Sequence, residues 1–286
     1  MASTPATPLA ALLQDAAGRL TAAGVDAPRR DAELLVLHVL GRERAFLYAH
    51  PETVLSAAEL AAFDRLLTAR AQRVPSQYLT GTQEFYGRPF RVTPAVLIPR
   101  PETELVVEVA LERLRPTPAP TCMDVGTGSG CIAVTLALER RDARVAALDR
   151  SWAALAVARD NARHLGAAVE FCAGDLLAAL RPASLDLVIA NPPYVARAER
   201  AALPPEVRDH EPEAALFAGP RGDEIFARLL PQAARVLRPG GWLVLEIGAT
   251  QAAALRRLLA GWVGVEIRPD LQGLDRVVVA RQPGKL

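Results

Sequence analysis

A chain of 286 residues is long enough for one large domain or two modest ones. Its net charge is +1, with both signs spread along the chain, which argues against a partner held mainly through a phosphate backbone. No stretch approaches the roughly 18 consecutive apolar residues of a membrane span, and residues 1–8 lack a basic and apolar leader pattern. We expect a cytoplasmic protein without a membrane partner, whose first few residues are frayed.

The cysteines predict neither a disulfide nor a metal site. They lie in apolar surroundings without paired spacing, and none of the four histidines forms a metal-type cluster with them. We expect all three to be small core residues of a protein in a reducing compartment. They are Cys122, Cys131 and Cys172.

The first 75 residues follow a helical pattern. Asp31 opens an amphipathic run that Gly41 ends, and Ser56 with Glu59 three residues later forms a capping box that predicts the start of a further helix. We expect residues 1–75 to form a small helical bundle. Because its acidic and basic residues balance, we interpret it as a recognition domain for a protein partner; structural packing alone is the other interpretation.

Glycines and prolines alternate with aromatic and β-branched residues over residues 76–98, which predicts a β-hairpin that links the bundle to the rest of the chain. The segment Ile98–Glu104 then opens a helix. Pro101 suits the first turn of that helix, and the two glutamates suit the positive end of its dipole.

Strands and helices alternate after residue 120, which predicts an α/β fold with a mostly parallel sheet covered on both faces. The seven strands are expected near 121–125, 144–149, 168–172, 185–190, 241–247, 263–268 and 275–280, and the helices near 129–140, 151–165, 222–237 and 249–260. Only a short loop joins the last two strands, so the final strand should run antiparallel to its predecessor. We expect one α/β domain over residues 99–286.

The tetrad Asn191-Pro192-Pro193-Tyr194 follows the apolar strand 185–190, at the sheet edge where α/β proteins bind ligands. The prolines end the ladder pairing of that strand. Asn191 Oδ1 and a neighbouring backbone carbonyl can both accept hydrogens from one NH2 group, which makes a planar nitrogen a better nucleophile. The Tyr194 ring can stack on the amide or base that carries this nitrogen. A strand that simply ends in an ordinary turn is the alternative.

Three further strand ends carry groups that suit a nucleoside. The glycine loop after the first strand matches neither the dinucleotide G-x-G-x-x-G pattern nor a lysine-containing P-loop. Its candidate cofactor-binding residues are Gly126, Thr127, Gly128, Ser129 and Gly130. Asp149 suits ribose hydroxyls, and Asp175 with the backbone of Leu176 suits the amine and a ring nitrogen of adenine. A helix cap is the alternative for each aspartate, but the three strand ends together predict a nucleoside-containing ligand facing the tetrad.

These motifs resemble class I S-adenosylmethionine-dependent methyltransferases. Their combination is similar to the HemK/PrmC family of protein-(glutamine-N5) methyltransferases, which act on peptide chain release factors. The resemblance covers nearly the whole chain through Gln77–Gly81, Glu84–Gly87, Leu97–Glu104, Asp124–Gly130, Asn191–Tyr194, Glu211–Pro212 and Asp270–Arg276. The tetrad is shared with DNA adenine and rRNA methyltransferases, whereas the Ile-Pro-Arg-Pro-Glu-Thr-Glu motif is far more specific. Glu102, where the family often has Asp, and Leu176, where it can have an aromatic residue, are minor departures.

The resemblance implies a Rossmann-like class I methyltransferase fold and methyl transfer from S-adenosylmethionine to the glutamine of a Gly-Gly-Gln motif. Asn191 Oδ1 and the Pro192 carbonyl would accept hydrogens from the glutamine amide, and Tyr194 would pack on the amide plane. All four tetrad residues are candidate substrate contacts, and Asn191 is also a candidate cofactor contact. Arg100 and Glu102 are expected near the methionine part of the cofactor or the entering loop; a helix start and hinge is the other interpretation. The implied partner is a release factor, with no metal and no direct nucleic-acid partner, and we expect a monomer.

Two other functions stay open. A nucleic-acid adenine or guanine N-methyltransferase would use the same tetrad but needs a basic channel, against which the balanced charge of residues 1–75 argues. A cofactor-binding scaffold without activity has no evident need for paired acceptors. The insertion between Val195 and Gly222 is expected at the substrate mouth because it follows the catalytic strand; an inert surface loop is the alternative.

Overall fold

The computed structural model describes residues 7–283, and the frayed start expected for the first few residues lies outside them. The chain divides into two compact units. The first holds the residues up to Gly81 together with Pro204–His210, and the second holds Thr82–Leu203 and the residues from Glu211 onward. The expected linker 76–98 is therefore divided between the two units.

Twelve helices and eleven strands are formed within residues 7–283. In chain order they begin with α1 (Leu9–Ala22), α2 (Pro28–Leu40), α3 (Ala45–Ala49), α4 (Ala57–Ala71), α5 (Ser76–Thr80), β1 (Thr82–Phe85), β2 (Arg88–Arg91), α6 (Glu104–Leu114), β3 (Thr121–Val125), α7 (Cys131–Glu139), β4 (Arg144–Asp149) and α8 (Trp152–Leu165). They continue with β5 (Val169–Ala173), β6 (Leu185–Ala190), β7 (Val195–Ala196), α9 (Pro205–His210), α10 (Glu213–Leu216), β8 (Phe217–Gly219), α11 (Glu224–Val236), β9 (Leu237–Glu246), α12 (Ala252–Leu258), β10 (Val263–Pro269) and β11 (Asp275–Arg281). Two 3-10 turns are Pro101–Thr103 and Arg197–Ala202.

The capping box and the helix-ending glycine predicted in the first unit are present, although α2 begins at Pro28 and not at Asp31. Ser56 Oγ accepts a hydrogen bond from Glu59 N at 3.3 Å, and Glu59 Oε2 accepts one from Ser56 N at 2.8 Å, so the capping box that starts α4 is present. Gly41 ends α2 in the left-handed conformation, with φ +60°. This conformation is open to glycine at little steric cost, so the helix can end there without strain.

A buried ion cluster ties α9 to the other helices of the first unit. The Arg70 side chain is 7% exposed; its Nε donates to Asp31 Oδ2 at 2.6 Å and its Nη2 donates to Glu206 Oε1 at 2.9 Å. Arg73 Nη2 donates to Glu206 Oε2 at 2.7 Å. Because an uncompensated buried charge is strongly destabilising, these pairs hold Glu206 in place. A segment of the insertion expected at the substrate mouth is thus part of the first unit.

The prediction of extended structure directly after residue 76 is wrong, because Ser76–Thr80 forms the short helix α5. Pro75 precedes its first turn, Thr80 Oγ1 donates to Ser76 O at 3.1 Å, and Gly81 ends it at φ +77°. The predicted hairpin is confirmed over the following residues, where β1 and β2 pair antiparallel. Glu104 Oε1 accepts from the backbone of Tyr86, at the turn of the hairpin, at 2.7 Å.

The second unit is built on a seven-stranded sheet with the order β10-β11-β9-β6-β3-β4-β5. Neighbouring strands from β9 to β5 are parallel, whereas β11 is antiparallel to both β9 and β10. The predicted α/β fold, with its mostly parallel sheet and antiparallel last strand, is confirmed.

Both faces of this sheet are buried, which explains the nearly unbroken apolar strands. On β6, Leu187 and Ile189 belong to one core cluster and Val188 and Ala190 belong to the other. The first cluster includes residues of α6 and α7, and the second includes residues of α11 and α12. The strand therefore ends at a rigid point from which the tetrad begins.

The prediction that all three cysteines are core residues is wrong for one of them. Cys122 and Cys131 are buried, but Cys172 is exposed. It lies on β5, the edge strand of the sheet, whose residues are less covered than those of the central strands. Within residues 7–283, no group of three or more His, Cys, Asp or Glu side chains is arranged to hold a metal ion. Over the same residues, no helix combines the length and hydrophobicity that a membrane crossing requires.

Candidate active site

The carboxyl ends of β6, β3, β4 and β5 lie side by side and border a cavity of about 580 Å³. The structure brings most of the predicted site residues to this cavity. Those that line it are Arg100, Gly126, Thr127, Gly128, Ser129, Asp149, Asp175, Leu176, Asn191, Pro192 and Pro193. Glu102, Gly130 and Tyr194 lie outside its lining.

The glycine loop after β3 is held against the end of β4. Gly126 and Gly128 have φ values of +74° and +56°, so the backbone turns sharply there without a side chain between it and the cavity. The N–H of Gly128 donates to Asp149 Oδ2 at 3.0 Å, and the N–H of Ser151 donates to Asp149 Oδ1 at 2.8 Å. Ser151 Oγ, not the aspartate, accepts from Ala154 N and caps α8. Asp149 is therefore oriented by two backbone groups and remains on the cavity wall.

Gly130 does not line the cavity but allows the loop to pack closely against α8. Its φ is +83°, and a Cβ atom there would lie 3.1 Å from Ala158 Cβ of α8. Asn161, on the same helix, donates from Nδ2 to Ser129 O at 2.8 Å and to Arg91 O at 3.0 Å. These contacts hold the glycine loop and the hairpin strand β2 to one face of α8.

A fully buried carboxyl lies beneath the loop. Asp124 Oδ2 accepts from Thr127 Oγ1 at 2.7 Å and from Ala133 N at 3.2 Å. Its Oδ1 has no hydrogen-bond partner among residues 7–283. Burial raises the pKa of Asp124 to about 7, although the bonds from Thr127 and Ala133 oppose that shift.

Asp175 and Leu176 follow β5 on the cavity wall. The residues after Asp175 form turns instead of a helix, so the helix-cap alternative has no helix to cap. Asp175 Oδ2 accepts from Arg228 Nη2, which also lines the cavity. Leu176 adopts φ +54°, a conformation that L-residues with a large side chain rarely take. The backbone at this point is therefore held in an unusual turn next to the cavity.

The tetrad is anchored to two side chains outside it. Asn191 Nδ2 donates to Thr103 Oγ1 at 3.1 Å, and Thr103 Oγ1 donates to Glu246 Oε2 at 2.6 Å. Tyr194 OH donates to Glu246 Oε1 at 3.1 Å. Glu246 is 1% exposed; burial raises its pKa, while the bonds from Thr103 and Tyr194 act in the opposite direction. The phenol hydroxyl of Tyr194 thus forms its hydrogen bond with a buried carboxyl group.

Strand register explains why these groups meet. β6 and β9 are parallel neighbours, and Ala190 is paired with Leu245. Asn191 directly follows β6 and Glu246 is the last residue of β9, so both lie at the same carboxyl edge of the sheet. Thr103 reaches them from the 3-10 turn that starts α6. A residue of the Ile98–Glu104 motif therefore contacts the tetrad directly.

The backbone of the tetrad is fixed from the other side. Gln251 Nε2 donates to Tyr194 O at 2.9 Å and to Gly222 O at 3.1 Å. Gly222 has φ +87°, and a Cβ atom there would lie 2.7 Å from Tyr194 O. Only glycine fits this close approach, so the end of the insertion packs directly on the tetrad.

Arg100 lines the cavity and forms an ion pair with Glu211, whose side chain is 1% exposed. Glu211 Oε2 also accepts from Ile98 N at 3.3 Å. Pro204–His210 belongs to the first unit, and residues on both sides of that segment, among them Arg197 and Phe217, line the cavity. The expectation that the insertion contributes to the mouth therefore applies to its two ends.

The groups around the cavity fit S-adenosylmethionine. Asp149 and Asp175 line it together with backbone at Gly126 and Gly128 that carries no side chain. The volume of about 580 Å³ lies within the usual range of small-molecule sites. Carboxylates can accept hydrogen bonds from the hydroxyls and the amine of such a ligand.

Comparisons with known proteins agree with this fit. A PrmC N-terminal domain model matches residues 11–81, and a methyltransferase small domain model matches residues 103–204. A protein of Koribacter versatilis named release factor glutamine methyltransferase is 46% identical over 265 residues, which cover 92% of this chain and 95% of that protein. The chain belongs to the release factor glutamine methyltransferase family.

Other relatives agree with this assignment. A family member from Nitratidesulfovibrio vulgaris is 46% identical over 98% of this chain and 97% of its own. Among solved structures, the catalytic domain of hMettl16 in complex with MAT2A 3′UTR hairpin 6 has a TM-score of 0.57 at 18% identity, covering 76% of this chain and 81% of that one. At that identity the likeness concerns the fold alone. The predicted family and the class I methyltransferase fold are confirmed.

Sequence reasoning missed several residues that hold the tetrad. Thr103 was part of a recognised motif but was given no role, and Glu246 and Gln251 were not singled out. Glu246 had a readable signal, because it is the one charged residue in the apolar run from Trp242 to Ile247 at a strand end. The same kind of signal had marked Asp149.

Proposed function

We propose that this protein transfers the methyl group of S-adenosylmethionine to the side-chain amide nitrogen, N5, of the glutamine in the Gly-Gly-Gln motif of peptide chain release factors. The observation that carries the proposal is the state of Asn191. Its Nδ2 is engaged by Thr103, while its Oδ1 has no hydrogen bond among residues 7–283, and the residue lines the cavity. Family membership, with relatives named for this reaction, supports the same conclusion.

The cofactor would be held by groups at three strand ends. The loop Gly126–Gly130 would face its methionine part, Asp149 its ribose, and Asp175 with the backbone of Leu176 its adenine. When bound, S-adenosylmethionine supplies an electrophilic methyl group on a positively charged sulfur.

The tetrad prepares the glutamine nitrogen. Asn191 Oδ1 and the Pro192 carbonyl would each accept one hydrogen of the amide NH2 group. Holding both N–H bonds favours a more pyramidal nitrogen whose electron pair is free to attack. Because Pro192 is buried and the backbone at Tyr194 is held by Gln251, the acceptors are in place before the reaction begins.

The remaining assignments rest on position. Arg100 would lie beside the substrate or the methionine part of the cofactor, since it lines the cavity, and Pro193 would contact the glutamine. Tyr194 and Glu102 stay candidate substrate contacts, although neither lines the cavity. The helical first unit would recognise the release factor, and the protein would act as a monomer in the cytoplasm without binding nucleic acid.

Labelled cofactor separates the possible substrates. The protein is incubated with S-adenosylmethionine carrying a labelled methyl group and a release factor, with unmethylated DNA and rRNA in parallel. A release factor whose Gly-Gly-Gln glutamine is replaced by alanine is the matched control. We expect label on the intact release factor and none on the control. Label on nucleic acid alone would make the protein a nucleic-acid methyltransferase, and bound cofactor without any transfer would make it a scaffold.

A further inference from the structure

A chain of hydrogen bonds links the cavity to a buried carboxyl group. It runs from Asn191 Nδ2 to Thr103 Oγ1 at 3.1 Å and from Thr103 Oγ1 to Glu246 Oε2 at 2.6 Å. Thr103 and Glu246 are 2% and 1% exposed, so water does not compete for these contacts. Thr103 lines the cavity together with Asn191, whereas Glu246 lies outside the lining.

The chemistry of the groups sets the direction of this chain. When Glu246 is ionised, its carboxylate only accepts hydrogen bonds, so Thr103 gives its single hydroxyl proton to Glu246. The Thr103 oxygen is then left to accept from Asn191, and only the Nδ2 end of the carboxamide can donate. Turning the carboxamide over would bring Oδ1 against an oxygen that has no proton to offer. The buried carboxylate therefore decides which end of Asn191 is left for the substrate.

We infer that Thr103 and Glu246 are positioning residues that fix the orientation of the Asn191 carboxamide and thereby make the site select an amide over a carboxylate. This inference rests on the proposed function and adds a cause for its specificity. With Oδ1 presented beside the Pro192 carbonyl, the site offers two acceptors. These match the two N–H groups of glutamine and repel the oxygens of glutamate. With the carboxamide turned over, Nδ2 would donate to a glutamate oxygen instead.

The second donor on Glu246 supports this arrangement. Tyr194 OH donates to Oε1, so each oxygen of the carboxylate receives a hydroxyl group. Burial raises the pKa of Glu246, and the hydrogen bonds from Thr103 and Tyr194, together with Arg276, oppose that shift by stabilising the charged form. Tyr194 is thus part of the tetrad and also stabilises, through its hydroxyl, the carboxylate that orients Asn191.

Three variants test the inference at alkaline pH, which favours the ionised form of Glu246. Thr103→Val keeps the shape but removes the hydroxyl, Thr103→Ser restores it, and Glu246→Gln can both donate and accept, so it no longer imposes a direction. The matched control is Thr135→Val. Thr135 is fully buried on α7, and its Oγ1 has no hydrogen-bond partner among residues 7–283. The control therefore measures the effect of the same substitution where no hydroxyl bond is lost.

For each variant, kcat and KM are measured with an intact release factor, together with inhibition by a release factor that has glutamate in place of the target glutamine. We expect kcat to fall about ten- to a hundredfold in Thr103→Val and Glu246→Gln, the change that corresponds to one lost hydrogen bond to a charged group. The ratio of the inhibition constant of the glutamate form to the KM of the glutamine form should fall about tenfold, because one repulsive contact is removed. Thr103→Ser should restore most of the kcat that Thr103→Val loses, Thr135→Val should match the wild type, and calorimetry should give all variants the same cofactor affinity.

The outcomes separate this inference from the proposed function. A wild-type protein that does not methylate the release factor overturns the proposed function, and the inference with it. An active wild type with Thr103→Val equal to Thr135→Val in kcat overturns the inference alone. A loss of kcat without a change in the preference for glutamine over glutamate also overturns it, because orientation would then not be the cause. If Glu246→Gln does not fold, the Thr103→Val and Thr103→Ser pair decides the question.

Discussion

Asp124 couples the stability of the methyltransferase unit to pH. The side chain is fully buried, and one of its oxygens has no partner among residues 7–283. Burial raises its pKa from 3.8 to about 7, so the folded protein binds this proton more tightly than the unfolded chain does. The contribution of Asp124 to the free energy of unfolding therefore falls as pH rises from about 4 to about 7 and stays at the lower level above that. A difference of about three pKa units corresponds to about 4 kcal/mol.

The variant Asp124→Asn removes this titration. Urea unfolding at a series of pH values measures the effect, and tryptophan fluorescence reports on the right unit because Trp152, Trp242 and Trp262 all lie in the second one. We expect the stability of the variant relative to the wild type to rise by about 4 kcal/mol between about pH 4 and pH 8. Any change in the free energy of unfolding that the asparagine causes equally at every pH cancels in this comparison. The control is Asp160→Asn on α8, where the half-buried aspartate pairs with Arg91 and Arg163. A wild-type-to-Asp124→Asn difference that is independent of pH would refute the reasoning.

Three further variants test other parts of the molecule. Asn191→Ala should lower kcat by about a hundred- to a thousandfold, as expected when one preorganised contact at a reacting group is lost, with cofactor affinity by calorimetry unchanged; an equally active variant would contradict the tetrad mechanism. Asp149→Ala should weaken cofactor binding by about ten- to a hundredfold, because it removes the proposed ribose acceptor and leaves two backbone N–H groups without theirs. An unchanged dissociation constant would count against the ribose assignment. Ser56→Ala should cost the first unit about 1 kcal/mol through loss of the capping box, seen as faster amide hydrogen exchange at the start of α4; exchange equal to the wild type would contradict this.

Local patterns were enough to predict the fold class, and most of the predicted site residues lie on the cavity wall. The strand near 185–190 was recognised because a strand buried on both faces is apolar throughout, and the tetrad because its four residues are contiguous. Short segments were harder. Ser76–Thr80 has too few residues for a helical period to be distinguished from a strand, and Cys172 was assigned to the core because its neighbours are apolar, although it lies on an edge strand.

Contacts between distant residues could not be predicted in this way. Thr103 meets Glu246 across 143 positions of the chain and meets Asn191 across 88. Glu206 belongs to the first unit because it pairs with Arg70, which is 136 positions away. No periodicity or motif spacing carries information about such pairs, because they arise from the order and register in which the elements pack.

The amino-acid sequence by itself determined which elements form and which chemical groups stand at the strand ends, since propensity, caps and hydrophobic periodicity act between near neighbours along the chain. The tertiary structure alone decided which end of the Asn191 carboxamide is left for a substrate. Parallel pairing of β6 with β9 brings Asn191 and Glu246 to one edge, the first turn of α6 places Thr103 between them, and a buried carboxylate imposes the direction of the hydrogen bonds that follow.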